Sequence, residues 1–165
     1  MKKPESLPKD IVEMLLPRLE DETKAFYFYR AASNYCKNVG YFLAAEFFAK
    51  ESADELEHAK GIENFLVDWN VTPDLPVIEK PTLEFKGLAE IIEKAYDLEY
   101  NLYVEYEETS AKIFKTGDIC VFDFLQKYRT IQTQSVAEYS DKINMLDGVN
   151  VGDKFQMLML EKKLF

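Results

Sequence analysis

The single histidine of the chain, His58, follows Glu55 by three residues in a segment whose apolar residues recur at helical spacing. Residues i and i+3 project from the same helix face, so this imidazole and this carboxylate can reach one point in space. Two other segments each carry a carboxylate inside an apolar stripe. Glu22 lies among Leu15, Leu19, Ala25, Phe26 and Tyr29, and Glu99 among Ile92, Tyr96, Leu102 and Tyr106. A fourth segment places Gln132 between Tyr128 and Val136. An ionised carboxylate in a dry core is costly unless a cation or hydrogen bonds compensate it. One imidazole surrounded by buried carboxylates suits a pair of redox-active metal ions held inside a helical bundle. Glu55, with two oxygens, is the natural bridge; Glu22 then completes the first metal with His58, and Glu99 the second.

Thirty of the 165 residues are acidic, so the Glu55–His58 spacing alone is weak evidence. The argument rests on its joint occurrence with Glu22 and Glu99 on other segments. The run Glu105, Glu107, Glu108 reads as a solvated face, and Asp54 and Glu57 point away from the core. Tyr29 is placed either to donate a hydrogen bond to a ligand or simply to pack. Met145, Met157 and Met159 read as packing residues rather than ligands.

These groups need long helices to position them. Gly40, the prolines at 73, 76 and 81, Gly117, Gly148 and Gly152 punctuate the chain. Between them lie four helical segments at about 9–37, 41–69, 87–115 and 119–147, and a short fifth at 153–164. Asp118 and Asp153 are expected N-caps of the last two. Pro17 should kink the first helix or mark its regular start. Residues 38–40 and 116–118 are long enough only for antiparallel turns. The connection from Asn70 to Lys86, extended, reaches ~56 Å, enough to return along a helix of ~43 Å. Two hairpins joined by one long crossover define an all-α, ferritin-like four-helix bundle with a short fifth C-terminal helix. One domain, 1–165, is expected.

The net charge of −10 argues against nucleic acid or an anionic membrane surface as partner and fits a protein that attracts cations. Apolar residues make up 47% and aromatics 14%, which points to burial between subunits as well as within one. Met1–Asp10 lacks the apolar core of a secretory signal, and no stretch approaches membrane-spanning length. Cys36 and Cys120 form no Cys-x-x-Cys pair, so free thiols and a cytoplasmic location are expected.

The chain resembles the non-haem ferritins of the H-type or bacterial kind over nearly its whole length. The resemblance rests on residues 22–33 (ETKAFYFYRAAS), 51–60 (ESADELEHAK), 75–81 (LPVIEKP), 94–99 (KAYDLE) and 124–132 (FLQKYRTIQ). It implies Glu22, Glu55 and His58 as ligands of a first iron, and Glu55 and Glu99 as ligands of a second, in a diiron ferroxidase centre. Gln132 and Tyr29 match the family's hydrogen-bonding glutamine and nearby tyrosine, and Asp54 and Glu57 its acids on the inner, mineral-nucleating surface. The implied activity is oxidation of Fe(II) with O2 or peroxide and storage of a ferric mineral core. The implied assembly is a homo-oligomeric shell of twenty-four subunits, with the fifth helix lining its fourfold axes.

Departures from the family pattern carry information too. Ser135, Ile131 and Gln134 stand where many bacterial ferritins have a third iron site, so that site is expected to be absent or weak. Leu125 replaces an acid of the threefold channel, leaving Asp118 and Asp123 as candidates. Helix four carries Gln132-x-x-Ser135 rather than a second Glu-x-x-His, unlike bacterioferritin and rubrerythrin. Two other readings remain open at this stage: a small diiron oxidase acting on an organic substrate, and a helical interaction module whose stripe acids pair with Lys or Arg.

Overall fold

The computed structural model describes residues 4–165, and every regular element among them is helical. Helix α1 spans Lys9–Val39, α2 Phe42–Asp68, α3 Leu88–Thr116, α4 Ile119–Leu146 and α5 Lys154–Leu164. The expected bounds hold to within two residues. Gly40 ends α1 in the left-handed region (φ 87°), where a side chain would be strained, and the Tyr41 N–H closes the turn on the Cys36 carbonyl. Gly117 does the same for α3 (φ 81°). Asp118 accepts a hydrogen bond from the Val121 N–H at 3.0 Å, and Asp153 one from the Gln156 N–H at 3.0 Å, so both expected caps are present.

Pro17 neither starts nor ends α1, which begins eight residues earlier. The residue is exposed, as is Glu13 one turn before it. The carbonyl that loses its helical partner therefore faces water, which satisfies it.

The core divides into two apolar halves, and they reveal the direction of each helix. The lower half contains Leu15 and Leu19 of α1, Ile62 and Leu66 of α2, Tyr106 and Ile113 of α3, and Val121 and Leu125 of α4. The upper half contains Ala32 and Cys36, Ala44 and Phe48, Ile91 and Ile92, and Tyr139 and Leu146 from the same four helices. So α1 and α4 run upward while α2 and α3 run downward. Residues 70–86 carry the chain from the lower end of α2 back to the upper end of α3. Helix α5 adds Met157, Leu160 and Leu164 to the upper half.

Met159 stays outside this packing, 49% exposed on α5, unlike Met157. Leu125 is fully buried in the lower core, so its side chain lines no surface channel; Asp118 is engaged as a cap and Asp123 is exposed. Cys36 and Cys120 are both free thiols, the first buried and the second exposed. No helix among the described residues is long and apolar enough to cross a membrane.

Candidate metal centre

Between the two apolar halves lies one polar layer. On α1 it is Glu22, on α2 Glu55 and His58, on α3 Glu99 and on α4 Gln132. Glu22, Glu99 and Gln132 are fully buried, Glu55 is 4% exposed, and the His58 side chain is 19% exposed. Glu55, Glu99 and Gln132 occupy the points in their stripes where the helix passes from one half-core to the other, and Glu22 lies just below that crossing, between Leu19 and Ala25 of the lower half. The layer thus has apolar packing above and below it.

His58 Nδ1 faces two carboxylates, Glu55 Oε2 at 3.1 Å and Glu22 Oε2 at 3.3 Å. Ligand atoms of Glu22, Glu55 and His58 all lie within 4.8 Å of one another, a spacing that can hold one metal ion. Glu22 Oε2 is buried and has no hydrogen-bond partner outside the trio. Such a carboxylate oxygen beside an imidazole nitrogen and a second carboxylate is a donor set that fits a divalent cation.

Glu99 stands apart from that trio, across the layer. Tyr29 donates its phenolic hydrogen to Glu99 Oε1. With its amide nitrogen facing Glu99, Gln132 donates to Glu99 Oε2 at 2.7 Å and to the Glu99 carbonyl at 3.2 Å. Tyr29 also stacks between Phe48 and Tyr139, so it fills both expected roles, donor and packing residue. The structure therefore gathers Glu22, Glu55 and His58 tightly and holds Glu99 by Tyr29 and Gln132.

In the sequence Tyr106 stands out only as a residue of the α3 apolar stripe. Its hydroxyl donates to Glu22 Oε1, mirroring Tyr29 on Glu99. Its ring stacks on Tyr128 at 5.2 Å, and the Tyr128 hydroxyl donates to the His58 carbonyl at 3.1 Å. Gly61 makes room for that phenol: a Cβ there would sit 2.6 Å from Tyr128 Oη. Arg18, almost wholly buried, pairs with Asp21 at 2.8 Å and Glu105 at 2.9 Å, its guanidinium 5.9 Å from the Tyr106 ring centroid. Glu105 is thus more than a solvated face, whereas Glu107, Glu108, Asp54 and Glu57 are exposed as expected. A Tyr in an apolar stripe gives no sequence signal that separates packing from hydrogen bonding, so these partners emerge only from the fold.

Burial lifts the Glu55 carboxyl well above its ordinary range, against the hydrogen bond from His58. Burial likewise raises Glu99 to about 8, despite the Tyr29 hydrogen bond. Burial also acts upward on Glu22, but hydrogen bonds from His58 and its other neighbours outweigh it and the net direction is down. For His58 burial acts downward, and the hydrogen bonds and charges of Glu22 and Glu55 outweigh it, raising the imidazole to about 10. The upward shifts of Glu55, Glu99 and His58 all act to limit the net negative charge of the buried layer when no cation is bound.

A family model described as a ferritin-like domain matches residues 12–149. A probable bacterial non-heme ferritin-like protein of Haemophilus influenzae is 28% identical over 143 residues, which cover 85% of this chain and 87% of that one. A bacterial non-heme ferritin of Campylobacter jejuni is 24% identical over 156 residues, covering 90% and 93% respectively. The open-pore ferritin of the archaeon Archaeoglobus fulgidus shares the fold, with a TM-score of 0.89 at 24% identity over 96% of this chain and 98% of that one. The family match runs through all four long helices and the whole polar layer, and the chain belongs to the ferritin-like domain family.

Proposed function

We propose that this chain, as one ferritin-like domain over 1–165, is an iron-storage ferritin with ferroxidase activity. The observation that carries the reading is the buried trio Glu22, Glu55 and His58, with a Glu22 oxygen aimed into it that has no partner outside it. Fe(II) is the substrate. Glu22, Glu55 and His58 take a first ion, and Glu55 and Glu99 a second. Hard carboxylate oxygens favour Fe(III) over Fe(II), which eases loss of an electron from each ion to O2 or peroxide. Metal binding competes with protons for His58, Glu55 and Glu99, because ligands bind in their deprotonated form. Tyr106 on Glu22, and Tyr29 and Gln132 on Glu99, hold the two outer carboxylates in place so that they need not reorganise.

Ferric iron then leaves for a mineral core inside a shell of twenty-four copies, past exposed acids such as Asp54 and Glu57. Support for assembly comes from apolar side chains left bare on the single chain, among them Val77 (93% exposed) and Phe155 (72%). Two free thiols fit a reducing, cytoplasmic setting. A diiron oxidase of an organic substrate needs a pocket beside the metals; the grooves along α1–α3 and along residues 77–82 are lined by none of the five layer residues. Replacing His58 or Glu55 by Ala should slow Fe(II) oxidation sharply while the shell still assembles. Unchanged initial rates in both variants overturn the site.

A further inference from the structure

Glu99 has no direct way to exchange a proton with water. It is fully buried, its Oε1 is met by the Tyr29 hydroxyl, and its Oε2 faces the Gln132 amide. An amide N–H does not pass protons on, whereas a hydroxyl can accept one on one side as it gives one on the other. The opposite side of the layer differs, because the His58 side chain is itself 19% exposed.

Beyond Tyr29 the hydroxyls continue. The Tyr29 and Tyr139 rings lie nearly parallel, with centroids 6.3 Å apart, and their phenolic ends hydrogen-bond to one another. Tyr139, also fully buried, brings its hydroxyl to 3.4 Å from Glu51 Oε2. Glu51 is half-buried on α2, one turn before Glu55, and so meets solvent. Tyr106, the corresponding phenol on Glu22, has no second hydrogen-bond partner among the described residues, so no such path leaves that carboxylate.

Glu51 suits the solvent end of a path. The charges that face it are Asp54 on its own helix, Glu138 and Lys142 on α4, and Glu99 beyond the two phenols. Burial first, then Glu138 and Asp54, raise it to about 7, against the Tyr139 hydrogen bond and Lys142. It therefore gains and loses a proton near neutral pH. Burial keeps both phenols protonated there, so neither carries a lasting charge.

We propose that Tyr29, Tyr139 and Glu51 form a proton relay that joins the Glu99 side of the buried layer to solvent between α2 and α4. The inference rests on the ferroxidase reading, in which a cation takes the place of a proton at Glu99. Glu99 gives its proton to the Tyr29 oxygen, Tyr29 passes its own to Tyr139, and Tyr139 passes its own to ionised Glu51. Each hydroxyl ends with one proton, as it began, and no electron moves. Glu51 then releases the proton to water beside the exposed Asp54 and Glu138. Tyr139 and Glu51 are positioning residues that act through Tyr29; they set how fast protons leave, not which ions bind.

Stopped-flow mixing of the metal-free full chain with Zn(II), and separately with Fe(II) without oxygen, follows the released protons through a pH-indicator dye. Glu51→Gln keeps the side-chain shape and cannot take up a proton. Tyr139→Phe keeps the ring stacked on Tyr29 and loses only the hydroxyl. Each should slow one phase of proton release about tenfold or more, with the number of ions bound unchanged. In the wild type that phase should accelerate as pH rises through about 7, where Glu51 becomes able to accept, and Glu51→Gln should lose this dependence. Equal release rates in the wild type and both variants overturn the relay. Slowing that leaves the wild-type pH dependence intact in Glu51→Gln overturns it too, because lost packing alone gives that pattern. If Zn(II) releases protons as expected but Fe(II) is not oxidised once air is admitted, the relay stands and the ferroxidase reading falls; if neither ion binds, both fall.

Discussion

Gln132 reaches Glu99 twice, donating to its side-chain Oε2 at 2.7 Å and to its backbone carbonyl at 3.2 Å. The amide thereby ties α4 to α3 at the level where both helices pass between the two half-cores. Together with the Tyr29 hydroxyl on Oε1, it leaves Glu99 little rotational freedom.

Replacing Gln132 by Leu keeps the volume and removes the donor. A buried acceptor left unpaired costs about 1–3 kcal/mol, so the metal-free variant should melt earlier. The second metal ion, which depends on Glu99, should bind more weakly, while the first, built on Glu22, Glu55 and His58, is retained. Anaerobic calorimetric titration with Fe(II) reads both events. Two unchanged binding steps contradict the role given to Gln132.

Metal-free stability should fall as pH rises. Burial raises Glu51 to about 7 and Glu99 to about 8, against 4.5 for an ordinary glutamate. The folded state thus keeps protons that the unfolded chain has released. The stabilisation is full below pH 4.5 and lost as pH climbs through 7 and 8. His58, at about 10 against 6.5, acts in the same direction at higher pH. Glu22, shifted down, acts oppositely but below pH 4.5. Melting temperatures of metal-free protein should therefore decline from about pH 5 to pH 8, and bound metal should flatten the slope by replacing the protons. A metal-free melting temperature that rises over this range contradicts the proton assignment.

Gly61 sits inside α2, where Ala is ordinarily better by about 0.5–1 kcal/mol. Here the added Cβ meets Tyr128 Oη at 2.6 Å, and Tyr128 is buried and stacked on Tyr106. Gly61→Ala should destabilise by about 1–3 kcal/mol through overpacking. Combining it with Tyr128→Phe removes the clashing oxygen and should recover much of the loss. Chemical denaturation of the two single variants and the double variant measures this; additive losses contradict the contact.

How much of this was legible in the sequence depends on the kind of signal. Gly40 and Gly117 ended their helices because their left-handed turns disfavour side chains, and Asp118 and Asp153 capped theirs because carboxylates satisfy open N–H groups. Glu22, Glu55 and His58 were readable because charge inside an apolar stripe demands a partner. Tyr106 was not, because a phenol belongs equally well in a stripe as packing. Nor was Lys142, which lies on the α4 stripe yet anchors the end of another helix.

Lys142 is 7% exposed; its Nζ donates to the Leu164 carbonyl at 2.6 Å, pairs with Glu138 at 3.0 Å and lies against the Phe47 and Phe165 rings. Glu161 fastens α5 again by accepting the Ala44 N–H at 2.9 Å near the start of α2. Lys142→Met keeps the apolar stem and loses the bond to Leu164. Amide exchange in α5 should accelerate while α1–α4 stay protected; unchanged exchange contradicts the anchor.

The most direct test of the central claim is aerobic Fe(II) titration of the purified chain, followed by size exclusion and iron counting in the protein peak. Storage in a shell predicts iron far above two per chain in a particle of about 460 kDa, twenty-four copies of a 19.2 kDa chain. Saturation at about two irons per chain in a small particle, or no bound iron at all, contradicts it.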